Sequence, residues 1–597
     1  MNTSNLLRNH KIPMTTAAYI TVLLRQLRPL AINVGLAIYI FHRLSDPTGA
    51  SLLESLVNIF AQIHAYASQN VLILHRWAFV LPLMNVISTV TQDVVAIAGV
   101  SGLLRVGYFL YHFRLSNSKD LLLRTCFQWM KPFINKKLQK ISNKILKEAD
   151  SMLAKEPNRT IRLSLPKNGL ADDIILNELS LCANRENTKC QTGKISGTLY
   201  SGGNKHSELM CKVYEFYLWS NPLKPGVWPR VNQCEAEIVA TTERILNGAP
   251  IGCVTSGGTE SILTAVRAHV ELFGKQRGIS CPEIICGSTA HCALNKACDV
   301  LNVTLVSIDC DDDNSYELKA AAVQKQITCN TIMIFASAPS FPHGVIDPID
   351  DLSALAKQYD IGLHIDACLG GFILPFCQED IVPRAFDFRL PGVTSMSADT
   401  HKYGHATKGT SVVLFKSSDL QHASYFSYSH WSGGLYITPT FAGSRPGALI
   451  ACAWAALVSI GESGYQQRAQ VIVEAARRIA DAIKSIDGLK LMTQNPTIVV
   501  CFTSDVFNIY RLKDTMSKMG WSLNPLQQPA AMNICVTESL DVGEFLQDLR
   551  SAVNEVQASI PQQKMGGTEM IYKTIRMLPP AAVEFAMHRF TDASLAP

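Results

Sequence analysis

No two of the seventeen cysteines form a C-x-x-C pair; they lie singly between Cys126 and Cys535, which removes zinc-ribbon and dithiol-redox readings and leaves no metal site to expect. Their odd number and scatter fail to make a disulfide framework, so the chain is expected to work reduced, in the cytosol. Sequons at Asn2, Asn158 and Asn302 have no secretory framework around them and carry little weight. Charge is scarce, at 17% of residues, and the net +5 is unevenly placed: between positions 114 and 147 nine Lys and Arg side chains face Asp120 alone. The remainder is slightly acidic on balance, which excludes a nucleic-acid-binding catalytic body. A chain of 597 residues exceeds one small core and should divide into several domains.

The N-terminal region, residues 1–113, is apolar but interrupted, with charge-free runs over Trp77–Gln92, Val94–Leu104 and Val106–Phe113. None of these alone reaches the roughly 18 to 20 residues that span a bilayer. Joined across Arg105, however, Val94–Phe113 is long enough, and Tyr108, Phe109, Tyr111 and Phe113 would form an aromatic belt at one interface. The competing reading is a buried core helix or a helical partner surface. The basic block that follows favours the membrane, because it would hold the next part of the chain on the cytoplasmic side and attract anionic lipid. Within it Ile134, Leu138, Ile141 and Ile145 recur at helical spacing, as in an amphipathic helix beside a bilayer or a solvated helix.

Beyond about Asn158 short β-rich runs alternate with helical patterns, the signature of an α/β domain with a mostly parallel sheet. Strands are predicted over Ile251–Thr255, Ile284–Cys286, Thr304–Ile308, Thr331–Ala336, Gly362–Ile365, Gly392–Ser397 and Ser411–Phe415. Their exits should gather at one end of the sheet, where open α/β sheets bind ligands. The first exit is Thr255-Ser256-Gly257-Gly258-Thr259-Glu260-Ser261, leading into a helical pattern. Glycine lets backbone approach an anion, and a helix N-terminus supplies free N–H groups, so the turn suits a phosphate or is simply a helix cap. His291 follows the second strand, and Asp366 ends an apolar strand. Such an aspartate suits a protonated pyridine nitrogen or the cap of a following helix. Last comes Asp399-Thr400-His401-Lys402-Tyr403-Gly404-His405, whose lysine amine is a candidate for bonding an aldehyde. The order Gly-Gly-Thr, His, Asp, His-Lys, each at a strand exit, points to pyridoxal 5'-phosphate.

With these residues in place the chain resembles the fold type I pyridoxal-phosphate enzymes, and within them the sphingosine phosphate lyase family. The resemblance runs from Ser196-Gly197-Thr198-Leu199-Tyr200 and Trp219-Ser220-Asn221-Pro222-Leu223 through Phe341-Pro342-His343-Gly344 and Asp366-Ala367-Cys368 to Ala442-Gly443-Ser444-Arg445-Pro446-Gly447. It implies an aspartate-aminotransferase-like α/β fold with a large mostly parallel-sheet domain, a small α+β C-terminal domain and an N-terminal helical membrane-associated region. Divided accordingly, the chain has a membrane-associated region over 1–113, a basic amphipathic linker over 114–157, and an N-terminal catalytic segment over 158–240. A cofactor-binding domain over 241–446 and a small domain over 447–597 complete it.

The same resemblance makes Lys402 the Schiff-base lysine, Asp366 the partner of the ring nitrogen and His291 the stacking group. Gly258, Thr259 and His401 would hold the cofactor phosphate, with Ser444 reaching it from a second subunit. Tyr200, Asn221 and Lys408 would bind the phosphate of the substrate, and Tyr200 would join Lys402 and Asp366 in catalysis. Lys224 stands where the family pattern has histidine; it keeps a charge able to bind phosphate. His405 stands where tyrosine is usual and is expected to titrate near neutrality or to fill space. The implied reaction is retro-aldol cleavage of a phosphorylated sphingoid base to phosphoethanolamine and a long-chain aldehyde. A homodimer with shared active sites, anchored to an endoplasmic-reticulum-like membrane through contact with lipid and facing the cytosol, would carry it out. The alternatives are a pyridoxal-phosphate-dependent amino acid decarboxylase and a non-catalytic membrane-bound lipid-binding scaffold.

Overall fold

Two mostly apolar blocks, Thr331–Ser337 and Gly362–Asp366, are buried at every position, which requires cover on both faces of the strands they form. They lie at the centre of a computed structural model that describes residues 162–595, apart from 313–314, 494, 559–566 and 579. The region 1–113 and the basic linker 114–157, with the membrane span and amphipathic helix expected there, lie outside the described residues.

Three helices, α1 (Asp172–Cys190), α2 (Asn204–Tyr217) and α3 (Pro229–Ile245), lead into the large sheet. Its strands and helices then alternate: β1 (Gly252–Thr255), α4 (Gly258–His269), β2 (Glu283–Gly287), α5 (Ala293–Leu301), β3 (Thr304–Ile308), α6 (Ala320–Gln324) and β4 (Thr331–Ser337). After α7 (Ile349–Gln358) come β5 (Gly362–Asp366), β6 (Ser395–Ala398) and β7 (Ser411–Phe415). The spatial order is β1-β7-β6-β5-β4-β2-β3. Only β7 runs against its neighbours, so the exits of β1, β2, β5 and β6 share one edge. Helix α7 shows how the layers close, with Ile349, Leu352, Leu355 and Ala356 on one buried face.

The seven predicted strands are all present, most of them within a residue or two of the expected ends. The sixth starts three residues later than expected, at Ser395. Gly392 is turned onto α7 instead, where its N–H donates to Ser353 Oγ at 2.8 Å. The sequence reading did not anticipate the small hairpin of β8 (Phe426–Tyr428) and β9 (Tyr436–Thr438) that follows α8 (Ser418–Ser424).

Helix α9 (Gly447–Lys484) opens the C-terminal part. Among the described residues it alone is long and apolar enough to cross a membrane, but half of its apolar window is buried inside the protein, where it packs on α2 and α3 as a core helix. A four-stranded antiparallel sheet follows, in the order β10 (Lys490–Leu491), β11 (Val499–Thr503), β13 (Ala531–Cys535), β12 (Asn524–Leu526). It is backed by α10 (Ile509–Lys518) and α11 (Val542–Ala558), and α12 (Gly567–Met577) and α13 (Pro580–Leu595) end the described chain.

The loop after β4 docks on this small sheet. Asn533 Nδ2 donates to the carbonyls of Phe341 and Pro342 at 2.7 and 3.0 Å. Gly344 closes the loop with φ +69°, and a Cβ there would lie 2.5 Å from the carbonyl oxygen of Val499. Both the left-handed backbone and the missing space demand glycine. Gly344→Ala should therefore destabilise the protein by about 2 kcal/mol, read as a lower urea midpoint; an unchanged midpoint would contradict this docking.

Candidate active site

The loop after β6 carries Lys402 and is fixed from both sheets. Its N-terminal part is folded back by hydrogen bonds from Ala406 N–H to the Thr400 carbonyl, at 2.9 Å, and between the Thr400 and Thr410 hydroxyls, at 2.8 Å. The buried Tyr403 hydroxyl donates to the Val536 carbonyl at 2.7 Å, tying the loop to the end of β13. Tyr465 on α9 donates to the Gly404 carbonyl at 2.9 Å, and His206 on α2 to that of His405 at 2.8 Å. With the backbone held from three directions, the Lys402 side chain has one place to go.

That place is Asp399. Lys402 Nζ lies 2.9 Å from Asp399 Oδ2, with the carboxylate almost fully buried and the lysine side chain 23% exposed. Burial works against the Lys402 charge, but Asp399, with smaller contributions from Cys368, Tyr200 and Asp366, outweighs it and holds the amine above the ordinary lysine range. Burial likewise opposes the charge of Asp399, yet Lys402 and His401 keep that carboxyl below its ordinary value. Asp399 Oδ1 and His401 Nδ1 are buried and have no hydrogen-bond partner. Unpaired polar atoms of this kind are costly unless something polar comes to meet them.

The Gly-Gly-Thr turn faces the same atoms. A Cβ on Gly258 would lie 2.8 Å from both Asp399 Oδ1 and Cys368 Sγ, so only glycine fits where the turn meets the lysine loop. Helix α4 starts at Gly258 without a side-chain cap, which leaves first-turn N–H groups available to an anion, and Thr259 is exposed beside them. Asp366 ends β5 three strands from β1; its Oδ1 accepts from the Cys368 N–H at 3.0 Å and the Ser397 hydroxyl at 3.4 Å. Burial pushes the Cys368 thiol far up, so it is an inert packing group rather than a nucleophile.

Tyr200 arrives from a segment bound to the small sheet. Ser196 Oγ accepts from the Cys535 N–H and from Asn524 Nδ2, both at 2.9 Å. The Tyr200 ring packs edge-on against Tyr403, and Lys408 Nζ lies 4.8 Å from its centroid while donating to the His401 carbonyl at 3.1 Å. Burial raises the Tyr200 phenol well above its ordinary value, which keeps it protonated.

The structure thus gathers Lys402, His401, Gly258, Asp366, Tyr200 and Lys408. His291 is half-buried after β2, where its Nδ1 accepts from the Ala293 N–H at 3.1 Å. Asn221 and Ser444 form a separate pair, Asn221 Nδ2 donating to Ser444 Oγ at 3.0 Å. Lys224 is exposed in the turn after Asn221. Of the two expectations for His405, titration near neutrality or space-filling, the structure favours the second: burial, then its neighbours Arg468 and His206, push it down to about 3. Its Nε2 accepts from Arg468 Nη1 at 3.3 Å, and Arg468 is itself paired with Glu538. Asp399 has no role assigned from sequence, although its place three residues before Lys402 suits an ion pair.

Similarity to known proteins extends over most of the chain. Residues 230–505 match the family model of the pyridoxal-dependent decarboxylase conserved domain. The chain is 41% identical over 468 residues to sphingosine-1-phosphate lyase of Dictyostelium discoideum, covering 77% of this chain and 88% of that protein. It is 39% identical to sphingosine-1-phosphate lyase 1 of Rattus norvegicus, over 74% of this chain and 78% of that one. Among solved structures, a sphingosine-1-phosphate lyase from Burkholderia pseudomallei superposes with a TM-score of 0.65 at 37% identity, covering 68% of this chain and 95% of that one. The glutamate decarboxylase of Lactobacillus brevis, at 20% identity and a TM-score of 0.58 over 68% of this chain and 97% of that one, shares the fold.

Lys408 gives a pH test. Partial burial, then the neighbouring Lys402 cation, push it down to about 8. A lysine is charged below its pKa, so the Lys408 cation is present at neutrality and lost as pH rises through that value. A phosphomonoester is already mostly a dianion above about pH 7 and adds little titration of its own. Affinity for a phosphomonoester should fall between about pH 7 and 9, and Lys408→Met should weaken binding at neutrality and flatten the profile. An unmodified protein whose affinity ignores pH over that interval would contradict the role.

Proposed function

The chain belongs to the sphingosine-1-phosphate lyase family, and we propose on that premise how its own residues carry the reaction. It is a pyridoxal 5'-phosphate-dependent carbon–carbon lyase that cleaves phosphorylated sphingoid bases to phosphoethanolamine and a long-chain aldehyde. The observation that carries the assignment of roles is the buried Lys402–Asp399 pair, faced by Gly258 on one side and by Lys408 over Tyr200 on the other.

The residues fit the cofactor. Gly258, Thr259 and His401 are assigned to its phosphate, where unpaired N–H groups and the partnerless His401 Nδ1 are found. Asp366 is assigned to the proton at the ring nitrogen, with one carboxylate oxygen already held by the Cys368 N–H. His291 is assigned to the ring face. When bound, the cofactor supplies an aldehyde for the amine and an electron-poor ring that takes up the electrons of the breaking bond. Lys402 is the amine that bonds the aldehyde, and Asp399 is placed to hold its proton.

The substrate phosphate is assigned to Lys408, Tyr200 and Asn221, with Lys224 at the outer rim. A cation held over the Tyr200 ring and a second one at the rim would orient the headgroup before any bond changes. Burial keeps the Tyr200 phenol protonated, so it can donate a hydrogen bond to the headgroup, and the base is one of Lys402, Tyr200 and the substrate phosphate.

The protein is further proposed to act as a closed homodimer, with Ser444 reaching the cofactor phosphate of the second subunit. Support comes from exposed apolar side chains on α1, on α2 and the turn after it, and on the β8–β9 hairpin, among them Leu179, Phe216, Trp219 and Leu435, the last two 85% and 87% exposed. Attachment to a membrane, with contact to its lipid and the catalytic body facing the cytosol, rests on the sequence of residues 1–147. A substrate with one long alkyl chain partitions into bilayers, so an anchored site meets it more often.

Purified full-length chain with cofactor should release long-chain aldehyde and phosphoethanolamine from a phosphorylated sphingoid base, and Lys402→Ala should abolish that release in protein that still folds, with a lower melting temperature because Asp399 is left buried without its partner. Carbon dioxide from amino acids without any aldehyde would overturn the lyase assignment in favour of a decarboxylase.

A further inference from the structure

Between the phosphate turn and the Asn221–Ser444 pair lies a buried ion pair that none of the assigned roles uses. Arg445 Nη1 and Nη2 grip the two carboxylate oxygens of Glu235 on α3, Nη2 to Oε2 at 2.8 Å, and both side chains are only 12% exposed. The same two residues clasp the last part of β1. Glu235 Oε1 accepts from the Val254 N–H and Arg445 Nη1 donates to the Val254 carbonyl, each at 3.0 Å. The Arg445 backbone N–H donates to Asn221 Oδ1 at 3.3 Å, and Asn221 in turn donates to Ser444.

The other end of this segment is latched too. Glu260, in the first turn of α4, accepts from the Ser256 N–H at 2.7 Å with one oxygen and from the Phe441 N–H at 3.1 Å with the other. Residues 441–445 are therefore tied by Glu260 and by Arg445 to positions on both sides of Gly257 and Gly258. A buried ion pair gives little stability that an apolar pair could not give, because both charges must shed water. What the planar guanidinium offers is direction: a fork that fixes Glu235 and the Val254 carbonyl at once, which the single ammonium of a lysine cannot do.

We propose that Glu235 and Arg445 are positioning residues, a brace that sets the geometry of the phosphate turn and links it to the segment bearing Ser444. The inference rests on reading Gly258 and Thr259 as the cofactor-phosphate site. Neither residue is placed against the cofactor itself; each acts through the turn. Loss of either partner lets the turn relax, and the effect should fall on recognition of phosphate rather than on the chemistry of Lys402.

The test compares two aldehydes on the full chain freed of cofactor: pyridoxal 5'-phosphate and pyridoxal, which lacks the phosphate. Covalent attachment to Lys402 is followed by absorbance. Glu235→Gln and Arg445→Lys should each weaken pyridoxal 5'-phosphate by about tenfold or more, the size of one lost charge-assisted contact, and pyridoxal by less than about twofold. The double variant should be no worse than either single one, because one shared interaction is lost in each case. If Arg445→Lys fails to fold, Glu235→Asp, which keeps the charge on a shorter arm, should show the same selective loss in smaller measure. Equal weakening of both aldehydes, additive losses, or undiminished preference for the phosphorylated aldehyde in the variants would overturn the brace. An unmodified protein with no preference for the phosphorylated aldehyde would instead sink the reading of the phosphate turn, and the brace with it.

Discussion

An amine buried at the edge of a sheet needs a counter-charge, and the rest of this structure depends on the one it is given. Asp399 lies three residues before Lys402 and takes its ammonium at 2.9 Å in a place with little water. Without that partner, burial would drive the lysine toward neutrality; without the lysine, an almost completely buried carboxylate would be left unpaired. The pair keeps both groups ionised and leaves Asp399 Oδ1 and His401 Nδ1 without hydrogen bonds beside the glycine turn. Polar demand of that kind suits a phosphorylated, polar cofactor.

Holding the pair in register takes both sheets. The large sheet delivers Gly258, Asp366 and Lys402 to one edge because β1, β5 and β6 run the same way. The small sheet delivers Tyr200, through Ser196 on β13, and anchors the lysine loop through the Tyr403 hydroxyl. Helix α9 joins the two by binding the Gly404 carbonyl from Tyr465. The site is therefore a product of docking between the two parts and belongs to neither alone, which is why the close fit of Gly344 against Val499 matters to the chemistry as well as to stability.

Much of this was legible in the sequence, for identifiable reasons. All seven strands of the large sheet were named from short β-rich runs alternating with helical patterns, of which β4 and β7 are buried at every position, and functional residues at their exits followed from parallel topology. The short strands β8, β9, β10 and β12, of two or three residues, carry no such pattern and were missed. Contacts across long sequence separations were invisible: Glu235 and Arg445 lie 210 positions apart. For His405 the sequence left titration and space-filling open, because a histidine's ordinary pKa is near neutrality and the burial and the Arg468 cation that lower it exist only in the folded chain. Residues 1–161 lie outside what the structure describes, so the membrane anchor stands on sequence reasoning.

The central claim is that one amine, that of Lys402, bonds the cofactor. Borohydride reduction of the cofactor-loaded protein, followed by peptide mapping in a mass spectrometer, tests it most directly. The account predicts a single reduced pyridoxyl-phosphate adduct on the peptide containing Lys402. An adduct on Lys408 in its place, or none on either residue in protein that cleaves substrate, would contradict it.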